Sequence, residues 1–268
     1  MQLSQANILL TGATGGIGQA TAKTLARLGA NLILQGRNEQ KLRALKNQLS
    51  GAERHHILLA DLASEEGITA VNRFAQQHYE NHQRINVLIN NAGCNAFAPL
   101  SQRSAHELEQ ELKLNLLTPM LLSQAALSWL SRPGIILNIG STFGSIGYPG
   151  YSSYCAAKAG LHRFSEALDR ELTAEEIRVL YLAPRATSTS LNSEAVVQMN
   201  QQLGNRSDDP QVVADHIVLM LEKEIAAKWI GWPEKLFARL NQLLPSVVAN
   251  AIRKQQHTIE QFINRTSH

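Results

Sequence analysis

The sequence predicts an α/β fold, a doubly wound parallel sheet of about seven strands with helices on both faces and a helical C-terminal extension. Three observations predict it. Short apolar runs alternate with longer stretches of helical spacing, a glycine-rich turn joins the first run to the first helix, and 268 residues at 44% hydrophobic content suffice for one large domain with a substantial core.

The runs read as buried strands are Asn7 to Leu10, Asn31 to Leu34, His56 to Leu59, Asn86 to Ile89, Gly134 to Ile139 and Ile177 to Leu182. Between them, leucines such as Leu25 and Leu28, or Leu42, Leu45 and Leu49, recur at helical spacing. Strands alternating with helices imply right-handed crossovers and a parallel, Rossmann-like sheet. After Leu182 the alternation stops, and the Thr-, Ser-, Asn- and Gln-rich segment from Ala183 to Asp209 is expected to be a mobile substrate loop. A helix carrying Val213, Ile217 and Met220 follows, then a short strand near Trp229 and Ile230. The expected organisation is a dinucleotide-binding catalytic domain over residues 1–232, continued by a helical extension over 233–268.

The first strand runs through Thr11, Gly12, Ala13, Thr14, Gly15, Gly16, Ile17 and Gly18 into a helix. Glycines let a phosphate approach backbone N–H groups at a helix N-terminus, where the dipole favours an anion. At the end of strand two an acidic residue would suit the ribose hydroxyls of NAD, whereas Gln35-Gly36-Arg37 suits a 2′-phosphate and so NADP. A solvated arginine opening the next helix is the plainer reading of Arg37. Asp61, after strand three, reads as an adenine contact or as a loop cap, and Asn90-Asn91-Ala92-Gly93 as a cofactor-facing strand end or as a simple turn.

Tyr154 and Lys158 lie four apart, on one helical face. A tyrosine is a poor base at neutral pH unless a neighbouring cation favours its phenolate, which Lys158 is placed to do. The phenol then exchanges a proton with a carbonyl or alcohol oxygen. Ser141, at the end of a strand where open sheets place their ligands, can hydrogen-bond the same oxygen. Pro119 removes the i to i+4 partner of the Asn115 carbonyl, so a kink is expected there; it reads either as a tolerated proline kink in a packed helix or as the seat of a water on the freed carbonyl that links Lys158 to solvent.

Composition excludes several classes. A formal charge of +3, with both signs mixed along the chain, gives no reason to invoke nucleic acid. Cys94 and Cys155 lack metal-type spacing and the nine histidines are scattered, so no metal is expected and a reducing cytoplasm is the default. The N-terminus leaves no room for a secretion signal. No stretch reaches the roughly 18 to 20 apolar residues of a membrane span, so membrane contact is peripheral at most and ranks low.

With these residues in hand, the chain resembles the short-chain dehydrogenase/reductase family from about Ala6 to about Trp232. Thr11 to Gly18 look like its TGxxxGxG turn, Asn90 to Gly93 like its NNAG segment, and Asn115, Ser141, Tyr154 and Lys158 like its catalytic tetrad. The resemblance implies an NADP(H)-dependent oxidoreductase interconverting a carbonyl and a secondary alcohol, as a homodimer or homotetramer. It also implies that the cofactor lies against Gly12, Thr14, Gly16, Ile17, Gly18, Arg37, Asp61, Leu62, Asn91, Ala92, Gly93, Tyr154, Lys158, Pro184, Thr187 and Thr189. Two departures stand out. Arg185 replaces the usual glycine after Pro184 and reads either as an anion contact for substrate or as a solvated cation, and the C-terminus continues well past the family's usual ending. A non-catalytic NADP-binding regulator is the alternative, disfavoured because the tetrad is complete. A nucleotide-sugar epimerase would need a C-terminal sugar-binding domain that too few residues remain to build.

In the extension, Leu236, Phe237, Leu240, Leu243, Leu244, Val247, Val248 and Ile252 recur at helical spacing, flanked by Lys235, Arg239, Arg253 and Lys254. Pro245 should divide it into two amphipathic helices, whose apolar stripe can meet the protein's own core, a neighbouring subunit or a lipid surface. The resemblance, through family members with a similar leucine-rich, proline-broken ending, implies that the extension walls a cleft for a bulky lipophilic substrate. Arg37 yields the first test. Arg37→Ala should weaken NADP(H) binding by about tenfold or more, the loss of one charge-assisted contact, and leave NAD(H) binding unchanged. Dissociation constants for both cofactors check this, and equal affinities in the unmodified chain would count against it.

Overall fold

The computed structural model describes residues 1–81 and 83–265. Seven strands form one parallel sheet: β1 (Asn7–Leu10), β2 (Asn31–Gly36), β3 (His56–Leu59), β4 (Ile85–Asn90), β5 (Leu130–Ile139), β6 (Ile177–Ala183) and β7 (Ala227–Trp229). Their order is β3-β2-β1-β4-β5-β6-β7, and every neighbouring pair is parallel. Ile8 is in register with Leu32 on one side and with Val87 on the other. The chain therefore winds outward in opposite directions from the β1–β4 pair, which opens a crevice at the carboxyl ends of those two strands.

Eleven α-helices are described. One face of the sheet is covered by α1 (Gly16–Arg27), α2 (Glu39–Asn47) and α8 (Pro210–Lys223), whose Leu25, Leu42, Val213 and Ile217 pack on Ile8, Leu10 and Leu34. The other is covered by α3 (Glu65–Glu80), α5 (Thr118–Trp129) and α6 (Ser152–Glu171), with Val71, Ala126, Trp129 and Leu168 against Leu9, Leu88 and Ile136. The central strands are buried on both faces, so their sequences read as unbroken apolar runs rather than alternating ones. Their observed limits extend the expected ones by a few residues at most, β5 gaining Leu130 to Pro133 at its start. Leu28, whose spacing from Leu25 placed it in the same helix, lies at the C-terminal cap of α1 and is exposed.

Between α4 (Ala105–Leu112) and α5 the helix widens into a π turn over Lys113–Leu117, closed by the N–H of Thr118 on the carbonyl of Lys113. The kink expected from Pro119 takes this form. The segment after β6 is not loop throughout. Residues Glu194–Gln202 form α7, started by the Ser193 hydroxyl, which accepts the Val196 N–H.

The C-terminal extension breaks at Leu244-Pro245 into α9 (Trp232–Leu243) and α10 (Pro245–Lys254), followed by a third helix, α11 (Gln256–Arg265). The apolar stripe is only partly covered: Val248 is buried and Ile252 half-buried, whereas Leu243 and Leu244 remain exposed. Burial is completed by α11, whose Ile259, Phe262 and Ile263 join Phe97, Tyr151, Tyr154, Val196 and Met199 in one cluster. The extension thus packs on α7 and on the N-terminus of α6. Among the described residues no helix is long and apolar enough to cross a membrane. Because Ile259 is fully buried there, Ile259→Ala should cost about 2–5 kcal/mol. A thermal unfolding scan checks the value, and an unchanged Tm would show that α11 is not held to α7.

Candidate active site

The turn after β1 is fixed by backbone and by one buried amide. Gly12 has φ +61°, and a Cβ there would stand 2.8 Å from the Cα of Ala92. A Cβ on Gly18 would stand 2.3 Å from the carbonyl oxygen of Gly12, so neither position accepts a side chain. The N–H of Gly12 donates to the Oε1 of Gln35 (3.0 Å), whose own amide donates to the carbonyl of Ala60 (2.7 Å). Gln35 is buried, and its sequence signal is only the lack of charge at the end of β2. No side chain caps α1, so its first-turn N–H groups are left for a ligand.

Across the crevice, the N–H groups of Asn91 (2.9 Å) and Ala92 (3.0 Å) donate to the Thr11 hydroxyl. The Asn91 amide returns to the carbonyls of Thr11 (2.9 Å) and Gly12 (3.1 Å). Asn90 donates to Asn138 Oδ1 at 2.8 Å and ties β4 to β5. These contacts make Asn90 to Gly93 a fastened strand end and not merely a turn.

A cavity of about 540 Å³ follows, lined by Gly12, Thr14, Gly15 to Gly18, Arg37, Asp61, Leu62 and Asn91 to Cys94. Asp61 lines it while also capping its own turn, accepting the Ala63 N–H at 3.0 Å. A cradle of glycines at an uncapped helix N-terminus fits a diphosphate. An exposed Arg37 on its rim, with glycine where a carboxylate would stand, fits a phosphorylated ribose.

A second cavity of about 340 Å³ adjoins the first, and Ile17, Thr189 and Leu191 line both. Ser141, Tyr154, Pro184 and Thr187 face this second cavity. Thr189 lies directly over Gly16, where a Cβ would stand 2.6 Å from its Cγ2. The far wall is built by Phe237, Val248 and Ile252 of the extension and by Val196 and Met199 of α7.

Ser141, at the end of β5, accepts the Phe143 N–H at 3.1 Å and hydrogen-bonds the phenol of Tyr154. Lys158, one turn after Tyr154, is 5% exposed; its Nζ donates to the carbonyl of Ile139 at 3.0 Å and stands 5.7 Å from the Tyr154 ring centre. Burial lowers its pKa to about 8. Burial also pushes the Tyr154 phenol up, against the smaller downward pull of the Ser141 hydrogen bond. Desolvation is thus the largest influence on the phenol.

Asn115 lies in the π turn and donates to the carbonyls of Cys94 (2.8 Å) and Glu111 (2.9 Å). Its Oδ1 is buried without a partner among the described residues. A Cβ on Gly93 would stand 2.8 Å from that oxygen and 3.8 Å from Lys158 Nζ, so both atoms border the space that the missing side chain leaves. The tetrad residues of the sequence thus converge on one place.

Arg185 does neither of the things its sequence position suggested. It grips Asp208 bidentately (2.9 and 2.6 Å) and reaches Glu234 at 3.3 Å, so its charge is already met by two carboxylates. It joins the end of β6, the segment before α8 and the start of α9. Glu111, which sequence reasoning passed over, is 2% exposed beside Asn115. Its only sequence signal is a carboxylate one turn before Asn115 on a helix.

The short chain dehydrogenase family model matches residues 6–200. A 3-oxoacyl-[acyl-carrier-protein] reductase of Bos taurus is 35% identical over 79% of this chain and 89% of its own. An uncharacterized oxidoreductase of Bacillus subtilis is 29% identical over 92% of this chain and 71% of its own. Among solved structures, a short-chain dehydrogenase from Burkholderia cenocepacia in complex with NADP superposes with a TM-score of 0.73 at 26% identity, covering 82% of this chain and 91% of its own.

The buried Lys158 carries a stability signature. Its native pKa of about 8 lies below the ordinary lysine value of 10.5. The unfolded chain therefore binds the proton more tightly, and the penalty is present in full below pH 8 and fades as pH rises to the unfolded value. Lys158→Met should raise the stability of the ligand-free protein at pH 7 by up to about 3 kcal/mol, with the gain shrinking above pH 8. Unfolding curves at pH 7 and pH 10 check this, and a gain independent of pH would refute it.

Proposed function

The chain belongs to the short-chain dehydrogenase family and is an NADP-dependent oxidoreductase; from that premise we propose that it interconverts a ketone and a secondary alcohol, with Tyr154 as the acid/base and a bulky lipophilic compound as substrate. One observation carries the reading: Ser141, Tyr154 and Lys158 meet where a glycine-lined cleft opens into a cavity walled by apolar side chains.

The bound cofactor supplies or accepts the hydride, and the proton chemistry belongs to the protein. In the reductive direction the Tyr154 hydroxyl donates its proton to the substrate carbonyl oxygen, which Ser141 also hydrogen-bonds. A phenol held well above its usual pKa range by burial is fully protonated at neutral pH, which suits a proton donor. Lys158, close to its own pKa at mild alkaline pH, then returns the proton. The space beside Gly93, bordered by Asn115 Oδ1 and Lys158 Nζ, offers a route to water. The cofactor contacts are assigned to Gly12, Thr14, Gly16 to Gly18, Arg37, Asp61, Leu62, Asn91 to Gly93, Pro184, Thr187 and Thr189.

The apolar wall supports the lipophilic substrate. Tyr148, Tyr151, Met199, Phe237, Val248 and Ile252 face the cavity, and of the two arginines that line it, Arg185 and Arg206, the first is neutralised by Asp208 and Glu234. A complete proton-transfer group argues against a purely regulatory role.

Tyr154→Phe should lower kcat by about 10²-fold or more while NADPH affinity stays within about twofold. Ile252→Trp should raise KM for bulky hydrophobic ketones more than for small ones. Consumption of reduced cofactor over a panel of ketones measures both. Near-normal kcat in Tyr154→Phe would sink the acid/base assignment, and equal KM changes for large and small ketones would sink the substrate class.

A further inference from the structure

We propose that Glu111 is a positioning residue for this site, its buried carboxylate fastening the N-terminus of the Tyr154 helix to the cofactor-side loop and to the Asn115 turn. The proposal rests on the oxidoreductase reading above and assigns a role to a residue outside the tetrad.

Glu111 sits in the last turn of α4, four residues before Asn115. Oε1 accepts the N–H of Ala96 at 3.0 Å, which lies two residues beyond Cys94 on the cofactor cleft. Oε2 accepts the hydroxyl of Ser153, the residue that precedes Tyr154, and lies 3.5 Å from Nη1 of Arg103. The Glu111 carbonyl accepts the Asn115 amide at 2.9 Å. One residue thus meets the cofactor loop, the proton-donor helix and the π turn.

The chemistry demands a carboxylate. Arg103 is 6% exposed and Glu111 2%, so the pair lies out of water, where removing one partner strands the other's charge. An apolar residue at 111 would orphan the Ala96 N–H and the Ser153 hydroxyl as well. A leucine would fill the helix face more cheaply, and nothing in the packing of α4 alone requires an acid there.

Glu111 also acts at a distance. The groups facing Tyr154 are Ser141, Tyr181, Cys155, Tyr151, Lys158 and Glu111. Of these Glu111 is the one carboxylate, and its charge opposes formation of the phenolate. Position and charge can therefore be separated: Glu111→Gln keeps an acceptor for Ala96 and removes the charge, Ser153→Ala keeps the charge and cuts one tether, and Glu111→Ala does both.

All three variants are made in the full-length chain. Ketone reduction, the pH profile of alcohol oxidation, NADPH affinity by fluorescence and Tm are measured for each. Glu111→Gln should move the rising limb of the oxidation profile to lower pH by about half a unit or more, because a like charge has been withdrawn from the phenolate. Ser153→Ala should leave that limb in place and lower kcat by about tenfold, the scale of a slightly displaced donor. Glu111→Ala should lower kcat further while NADPH affinity holds within about threefold.

An unmoved limb in Glu111→Gln overturns the proposal, as does kcat within twofold of normal in a folded Glu111→Ala protein. So does a proportional fall of kcat, NADPH affinity and Tm in all variants, which marks a purely structural residue. If Glu111→Ala does not fold, the other two variants decide by the same criteria. An unmodified chain that turns over no ketone or alcohol sinks the functional reading and this proposal together. An active chain with an unmoved limb sinks this proposal alone.

Discussion

Everything at the functional end of this molecule depends on the polar ties between the carboxyl ends of β1 and β4. At that point the crossovers depart in opposite directions, so two neighbouring strand ends lose the covering helices that bury their backbone elsewhere. Their N–H and C=O groups would be orphaned without side-chain partners. Thr11, Gln35 and Asn91 supply these partners, holding the glycine turn open in a shape no side chain at Gly12 or Gly18 would allow. The cleft is wide enough for a ligand because these amides, and not apolar contacts, close its floor.

Desolvation is the second organising force. The site keeps Lys158, Tyr154, Asn115 and the Glu111–Arg103 pair almost entirely out of water. Burial lowers the pKa of Lys158 and raises that of Tyr154, so the two move apart. Of such a pair, one member holds its proton firmly at neutral pH and the other releases it more readily. The cost falls on folding, and the hydrophobic layers on both faces of the sheet offset it.

The C-terminal extension ties the second cavity to the same frame. Arg185 spends its charge inside the protein, binding Asp208 ahead of α8 and Glu234 in α9. Beyond it, α11 packs against α7 in a cluster that includes Tyr151 and Tyr154. The helices forming the far wall of the cavity thereby share a core with the residues at its base. A change of sequence in the extension alters the cavity and the setting of Tyr154 together.

The sequence by itself determined the sheet, its winding and the identity of the converging side chains. Apolar runs report burial on both faces, the glycine turn reports its own backbone geometry, and a spacing of four on a helix places Tyr154 and Lys158 on one side. These are local properties, carried by neighbours in the chain. Tertiary structure alone decided the rest. Gln35 and Glu111 are ordinary polar residues until the fold brings Gly12, Ala96 and Ser153 to them. Arg185 was open between a substrate anion and solvent because its carboxylates lie 23 and 49 residues away. The π turn was legible only as a kink, since proline states which hydrogen bond is lost and the packing of the surrounding helices decides how the backbone replaces it. At Tyr154, spacing brings a cation near a phenol, but only the packed protein sets how much water either one loses.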